Sequence, residues 1–210
     1  MRFKLRGVNR ASILFLLALP VRAEVVDRIL AVVDRQVITL SEAELAREIG
    51  TLRGGGELSL ESAVDRLIES LLVEQEVKRF AAEPVPSEQV VQAIDSIRGT
   101  FPTEDAFQQA LEARGVTDEI LEQLVRRQVA ISRYLEARFR PLVHVSDEEV
   151  ERYFEEELLP VLRARGQESP LEESIAEGVR RILSEREFNE RVDEWIEGLK
   201  SKVRIRRYVW

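Results

Sequence analysis

Helical periodicity covers most of the chain, and strand-like alternation occurs only towards its two ends. Between residues 41 and 200, apolar residues recur with a spacing near 3.6, which indicates amphipathic helices. Val25 to Val33 and Val37 to Thr39, separated by a polar turn, have the pattern of a β-hairpin, and Val203 to Val209 alternate again. Because a two-stranded hairpin is marginal in water, we predict that the C-terminal strand completes a small antiparallel sheet in a mainly α, multi-helix fold.

The C-terminal strand has two possible fates. If it pairs with the hairpin, its alternation places Val203, Ile205 and Arg207 on one face and closes both ends of the folded chain into one sheet. The alternative is a frayed tail, because chain termini are often disordered unless they are tied down. The predicted pairing makes the strand a closing element for every helix inserted between the two ends.

Polar residues mark the predicted helix starts. A Ser or Thr oxygen accepts a free backbone N–H of the first turn, and a Glu three residues later reaches back in a capping box. The predicted starts are Ser41 with Glu44, Thr117, Ser146 with Glu149, and Ser169 with Glu172. Pro141 is expected to end the helix that begins after Thr117.

The last predicted helix contains two apolar stripes that are out of phase. One stripe runs from Leu171 to Ile182, and the other starts at Phe188. Either the helix kinks near Ser184, or its two halves bury different faces.

Residues 1–23 have the pattern of a secretory signal peptide. A basic start precedes the apolar run Ala11 to Leu19, which is shorter than the ~20 residues that span a bilayer, and Ala23 ends a small-residue cleavage site. Cleavage after Ala23 would remove five basic residues and no acidic ones, so the formal charge would change from −8 to −13. We predict a periplasmic protein without a stable membrane anchor; an uncleaved anchor is the alternative.

Several kinds of chemistry are excluded or disfavoured by composition. The chain has no cysteine and a single histidine, His144, so thiolate metal sites, disulfides and multi-histidine sites cannot form. No phosphate-binding loop, nucleophile elbow or dinucleotide fingerprint is present. The negative charge disfavours nucleic acid binding. We therefore predict no catalytic residues, no metal and no cofactor.

The order of the segments resembles that of SurA-type periplasmic chaperones. The mature N-terminus "VVDRILAVVDRQVITLSE", the segment "AVDRLIESLLVEQEVKRF" and the C-terminal "VRRILSEREFNERVDEWIEGLKSKVRIR" are similar to the first strands, the second helix and the closing helix and strand of that family. The resemblance implies a SurA-like chaperone core over residues 24–210, made of a helical region with the hairpin (24–145) and a region of C-terminal helices and closing strand (146–210).

One departure from that family concerns its parvulin prolyl-isomerase domains, which lie between the "VSDEEVERYF" segment and the last helix. Only about 25 residues separate Val150 from Ile175 here, whereas a domain needs at least ~50 residues. Parvulin sites also use histidines, and His144 lies outside this interval. We therefore predict a chaperone core without an isomerase domain, and no enzyme activity.

The resemblance implies a holdase that binds unfolded polypeptides, outer-membrane β-barrel proteins among them, on an exposed apolar surface. The candidate client-binding residues are the large apolar side chains Phe101, Phe107, Leu111, Tyr134, Phe139 and Phe154. A prolyl isomerase with unrecognised motifs and a dedicated structural or assembly partner in the cell envelope are the alternatives. The clients, their binding face and the oligomeric state do not follow from the sequence.

Overall fold

A computed structural model describes residues 27–52, 58–80, 84–166 and 170–208; for 48–52 it describes the backbone alone. The strands are β1 (Ile29–Val33), β2 (Gln36–Thr39) and β3 (Ile205–Arg207). The helices are α1 (Leu40–Leu52), α2 (Leu60–Phe80), α3 (Ser87–Arg98), α4 (Glu104–Glu112), α5 (Asp118–Phe139), α6 (Asp147–Tyr153), α7 (Leu159–Ala164) and α8 (Glu173–Lys200). The fold is mainly α with one small antiparallel sheet, as predicted. The predicted signal peptide lies outside the described residues.

The three strands form a sheet in the order β2-β1-β3, with both neighbouring pairs antiparallel. Val32 lies opposite Val37 on β2 and opposite Arg206 on β3. The predicted pairing of the C-terminal strand with the hairpin is therefore confirmed. Asp34 has a φ of 52° in the hairpin turn, and its Oδ1 accepts the backbone N–H of Arg204 at 3.0 Å, so the turn also holds β3.

One face of the sheet packs on α1 and α2. Leu30, Ala31, Val33 and Ile38 from the sheet are buried with Ala43 of α1 and with one stripe of α2. Val203 and Ile205 pack against this cluster from the C-terminal segment, and the Arg207 guanidinium lies 2.6 Å from the Asp65 carboxylate of α2. A bulge between Ile29 and Ala31 turns Leu30 inwards as well.

The remaining helices bury three further hydrophobic clusters. One joins α3, α4 and the start of α5, a second joins α2, α5 and the C-terminal half of α8, and a third joins α6 with the N-terminal half of α8. The helix α8 is continuous over 28 residues. Ala176 and Val179 face α6, whereas Phe188, Val192 and Ile196 face α2 and α5. The two halves therefore bury different faces, which is one of the two predicted alternatives.

Two of the predicted helix starts are confirmed and two are wrong. Thr117 accepts the N–H of Ile120, and Ser146 with Glu149 forms a complete capping box. The first helix is instead capped by Thr39, whose N–H donates to Glu42 at 2.9 Å. Ser41 donates its hydroxyl and its backbone N–H to Asp27, so a long-range contact replaces the local cap.

The last helix begins at Glu173 with Glu172 as its N-cap residue and no side-chain cap. A start at Ser169 is therefore wrong, although Ser169 itself lies outside the described residues. Upstream, a π-helical segment, Phe154–Leu158, joins α6 to α7. Pro160 follows this segment and has no N–H to donate to the preceding turn, which favours the wider turn.

Candidate functional site

A groove of about 890 Å³ lies between α2 and α5, with α1 and α3 at its sides. This volume is typical of protein sites that bind ligands, roughly 300–1,000 Å³. Its apolar lining comes from Ala46, Leu58, Ala63, Leu67, Ala93, Ile97, Leu121, Leu124, Val125, Val129, Ile131 and Ala137. Leu67, Leu124 and Val129 are only partly buried, so they present apolar surface to whatever enters the groove.

The groove exists because three of the hydrophobic clusters do not merge where they meet. Ala63 belongs to the cluster beneath the sheet, Ile97 and Val125 belong to the cluster around α4, and Ile131 belongs to the cluster with α8. All four line the groove. Apolar surface left between packed clusters is costly in water, and a contiguous patch of this kind commonly marks a binding site.

Arginines surround the apolar floor. Arg66, Arg127, Arg133 and Arg140 line the groove, and Glu136 is the only acidic residue in its described lining. Glu136 accepts two hydrogen bonds from Arg140, at 2.8 Å each, and these hold the pKa of the Glu136 carboxyl below its ordinary value and raise that of Arg140. Arg140 is held in place by this pair and by Glu185 at 3.0 Å. The rim is therefore basic in a chain with a formal charge of −8.

Four of the six predicted client-binding residues are buried in the protein interior. Phe107 and Leu111 are 1% and 2% exposed, and Phe139 and Phe154 are 7% and 5% exposed. These four side chains therefore do not form the exposed apolar surface that we expected, because they are buried. Phe107 and Leu111 lie four residues apart on α4, so both point into the cluster formed with α3 and α5.

The other two predicted residues are half-buried. Phe101 packs edge-to-face on Phe107, with ring centroids 5.4 Å apart. Tyr134 lies 5.9 Å from the ring of Trp195 and packs against the cluster of α2, α5 and α8. None of the six lines the groove. The sequence signal that points towards the groove is the apolar stripe from Ile120 to Val125, because Leu124 lies at the edge of this stripe and lines the groove. The sequence does not show which helix faces that edge.

Other kinds of site find no support in the described parts of the chain. Within them, no group of His, Asp and Glu residues is arranged to hold a metal ion. None of the helices among them is both long and apolar enough to cross a membrane. The backbone N–H of His144 donates to Glu187 at 3.1 Å, and this contact joins the segment before α6 to α8. The groove is therefore the strongest candidate for function.

Comparison with known proteins identifies relatives over part of the chain. No protein-family model matches the chain. Over 165 residues, or 73% of the chain, it is 33% identical to a protein named Chaperone SurA from Alkalilimnicola ehrlichii. It is 27% identical to proteins of the same name from Pseudomonas putida, over 140 residues, and Pseudomonas fluorescens, over 142 residues; each of these matches covers 63% of the chain.

The relatives are larger than this chain. The matches span 38% of the Alkalilimnicola protein and 33% of each Pseudomonas protein. The hairpin, the helical body and the strand that closes the sheet also agree with the architecture that the resemblance implied. By sequence similarity over most of its own length and by its architecture, the chain is a SurA-like protein.

Proposed function

We propose that this protein is a periplasmic chaperone that holds unfolded polypeptides in the groove between α2 and α5. The observation that carries the proposal is an open apolar groove of about 890 Å³ in a chain related to proteins named Chaperone SurA. Unfolded outer-membrane β-barrel proteins are the proposed clients. The sequence pattern of a cleavable signal peptide supports the proposed location.

The groove suits a short extended segment with large apolar side chains. Burying one such side chain contributes roughly 1.5–3 kcal/mol, and Leu67 and Leu124 offer partly exposed apolar surface on opposite walls. Ordering a client segment costs about 1–2 kcal/mol for each residue that is fixed. The two contributions nearly cancel, so we expect weak and reversible binding, which is what a holdase needs to release its clients.

We further propose that the protein acts without prolyl-isomerase activity. The segment between α6 and α8 contains the π-helical turn and the six-residue helix α7, which leaves no room there for a further domain. The matches to the relatives also cover 38% or less of their length. A proline-limited refolding assay tests this point: acceleration in proportion to the amount of protein would contradict it.

The holdase proposal is tested by aggregation of an unfolded β-barrel protein diluted from urea. We expect the wild-type protein to suppress light scattering at equimolar concentration. Leu124→Glu places a charge on the groove wall and should abolish most of this suppression. Ile182→Glu is the matched control, since Ile182 is 49% exposed on α8 and does not line the groove. Thermal unfolding of both variants verifies that they are folded.

Photocrosslinking gives a second test that needs no destabilising change. A photoreactive amino acid at Gln128, in the groove lining, should crosslink to the unfolded client, and one at the exposed Gln109 of α4 should not. Equal crosslinking from both positions would show that clients bind elsewhere. A single stoichiometric partner recovered by pull-down, with no binding of unfolded clients, would instead support a dedicated assembly role.

A further inference from the structure

The outer face of the sheet, opposite α1 and α2, is apolar and exposed. Val32 lies at its centre and is flanked by Val37 on β2 and by Arg206 on β3. Ile29 is 44% exposed, and Val37 and Tyr208 are each 45% exposed. The side chains on the inner face of the sheet belong to the buried cluster with α1 and α2. The three strands thus present two opposite faces, and nothing in the described chain covers the outer one.

Cations gather around this apolar face. Arg204 and Arg206 point outwards by strand alternation, whereas Arg207 points inwards to Asp65. Arg35 lies in the hairpin turn, and with Lys202 and Arg204 it borders a shallow depression at that end of the sheet. No ion pair to the side chains of these outward cations occurs among the described residues. The nearby Asp34 carboxylate accepts the backbone N–H of Arg204.

Ion pairs are common among the described arginines elsewhere on the surface. There, many half-buried or exposed arginines lie beside a carboxylate, as Arg126 does with Glu122 at 2.7 Å and Arg180 with Asp147 at 2.6 Å. The chain carries 39 acidic and 31 basic residues, so partners are plentiful. A group of cations without them, next to exposed Ile, Val and Tyr side chains, indicates a surface that is complementary to something acidic.

The size of the face limits what can bind there. Three strands about 4.8 Å apart, with pairing over three or four residues, cover roughly 200 Å². A stable protein–protein interface needs about 800 Å² on each partner, so the face is too small to hold a second copy of this chain by itself. A planar surface that carries many negative charges can bind through a smaller area, because each cation of the face adds separately to the binding free energy.

We propose that the outer face of the sheet (Ile29, Val32, Val37, Arg204, Arg206 and Tyr208) docks on a bilayer surface that contains anionic phospholipids. The arginines contact headgroup phosphates, for which the guanidinium fork is well shaped. Tyr208 lies at the interfacial depth that tyrosine favours, and the aliphatic side chains enter the headgroup boundary. The contact is peripheral and reversible.

The net negative charge of the chain makes this contact weak and sensitive to salt. Each basic residue near an anionic membrane strengthens binding about fivefold, and the attraction decays within a Debye length of ~10 Å at 0.1 M salt. At 0.1 M salt, acidic side chains on the distant helices are therefore largely screened, while the cations of the docking face are not. Binding is expected at 0.1 M salt and is lost as salt rises further.

The test is co-sedimentation of the protein with lipid vesicles. We expect binding to vesicles of equal parts phosphatidylglycerol and phosphatidylcholine at 0.1 M salt, and none to phosphatidylcholine alone. The double variant Arg204→Gln/Arg206→Gln should bind at least tenfold more weakly. Arg165→Gln/Arg181→Gln is the matched control, because both arginines are exposed and lie outside the sheet, Arg165 in the turn after α7 and Arg181 on α8, and it should bind like the wild type.

Three results would overturn the proposal: no binding to anionic vesicles, equal binding to both kinds of vesicle, and equal loss in both double variants. Binding of polyglutamate without binding of vesicles would assign the face to an acidic polypeptide instead. Val37→Ser provides a check that leaves the charges unchanged, and it should weaken vesicle binding while the exposed Val161→Ser on α7 does not. Suppression of client aggregation should be unaffected by all of these changes, so the result is independent of the chaperone proposal.

Discussion

Phe107 illustrates how one residue can be interpreted in two ways. The sequence makes it a candidate client-binding residue on an exposed apolar surface. In the structure it is 1% exposed and packs in the cluster of α3, α4 and α5. The N-cap Thr103, which accepts the N–H of Ala106 at 3.2 Å, fixes the start of α4 and so determines which face turns inwards.

Burial of Phe107 predicts a role in stability. Phe107→Ala should reduce the free energy of unfolding by roughly 3–5 kcal/mol, since a buried aromatic ring is replaced by a cavity. Urea denaturation measures this loss. Leu124→Ala, at the half-buried groove wall, should cost less stability yet weaken client binding more. A Phe107→Ala variant with wild-type stability and lost client binding would contradict this role and show that Phe107 takes part in client binding.

The capping box at Ser146 gives a second prediction at this scale. The Ser146 backbone N–H and hydroxyl donate to the Glu149 carboxylate at 2.8 and 2.9 Å, and they lower the pKa of Glu149 below its ordinary value of 4.5. Because the folded pKa is the lower one, the box stabilises the fold above pH 4.5 and loses this contribution as pH falls through the folded value.

Glu149→Gln removes the titration and keeps an acceptor. We expect the stability advantage of the wild type over Glu149→Gln to be largest near neutral pH and to shrink on acidification to about pH 3. Urea denaturation at several pH values measures it. Glu148→Gln leaves the box intact and is the control. An advantage that stays constant or grows as pH falls would show that the box is not formed by an ionised Glu149.

At the scale of elements, α8 links otherwise separate parts of the protein. Its N-terminal half packs on α6 and its C-terminal half on α2 and α5. Lys200 in its last turn contacts Glu69 of α2 at 2.8 Å and Glu197 at 2.7 Å. Although burial alone lowers the pKa of Lys200, these hydrogen bonds raise it overall. α8 therefore connects α6 with α2, the helix that packs beneath the sheet.

The continuous helix α8 contains two glycines without an evident packing reason. A Cβ added at Gly178 or Gly198 would meet no atom within 4 Å. Each change to Ala should therefore raise the free energy of unfolding by about 0.5–1 kcal/mol, since Ala loses less conformational entropy in a helix. Thermal and urea unfolding measure this gain. Gly166→Ala is the matched control and should destabilise, because Gly166 has a φ of +70°. A loss of stability in Gly178→Ala would contradict the open space around this position.

The elements themselves were largely predictable, because helix periodicity and the caps Thr117 and Ser146 are local signals. The start of α1 was not, since Ser41 is engaged by Asp27 through a contact 14 residues away. The groove was the hardest to foresee. It depends on how α2 and α5 cross, and apolar side chains on two helices do not reveal whether they touch or leave a gap.

For the whole molecule, the sheet joins segments about 170 residues apart. Arg204 and Asp34 exchange backbone and side-chain hydrogen bonds at 2.9 and 3.0 Å, and the N–H of Tyr208 donates to Leu30 at 3.0 Å. Hydrogen-bonded and non-hydrogen-bonded residue pairs alternate along an antiparallel ladder. Arg206 and Val32 lie midway between these two contacts and therefore form a hydrogen-bonded pair. The stability of the hairpin is thereby coupled to that of the last helix.

Arg206→Pro should therefore destabilise the entire fold. Proline removes the N–H that bonds to Val32 in the ladder, which costs roughly 1–3 kcal/mol. We expect urea unfolding in one transition with a lower midpoint, and deletion of residues 202–210 should lower it further. Arg206→Ala keeps the backbone donor and is the control. A truncated protein that unfolds like the full-length chain would show that β3 does not hold the sheet together.

The antiparallel pairing of β1 with β3 also makes the chain suitable for circular permutation. Ala31 lies opposite Arg207, so a short linker from residue 208 to residue 27 would turn the two strands into an ordinary hairpin. New termini could be opened in the connection between α1 and α2. The contact of longest sequence separation would then become one of the shortest, and because loop closure between distant segments slows folding, the permuted protein should fold faster into the same structure.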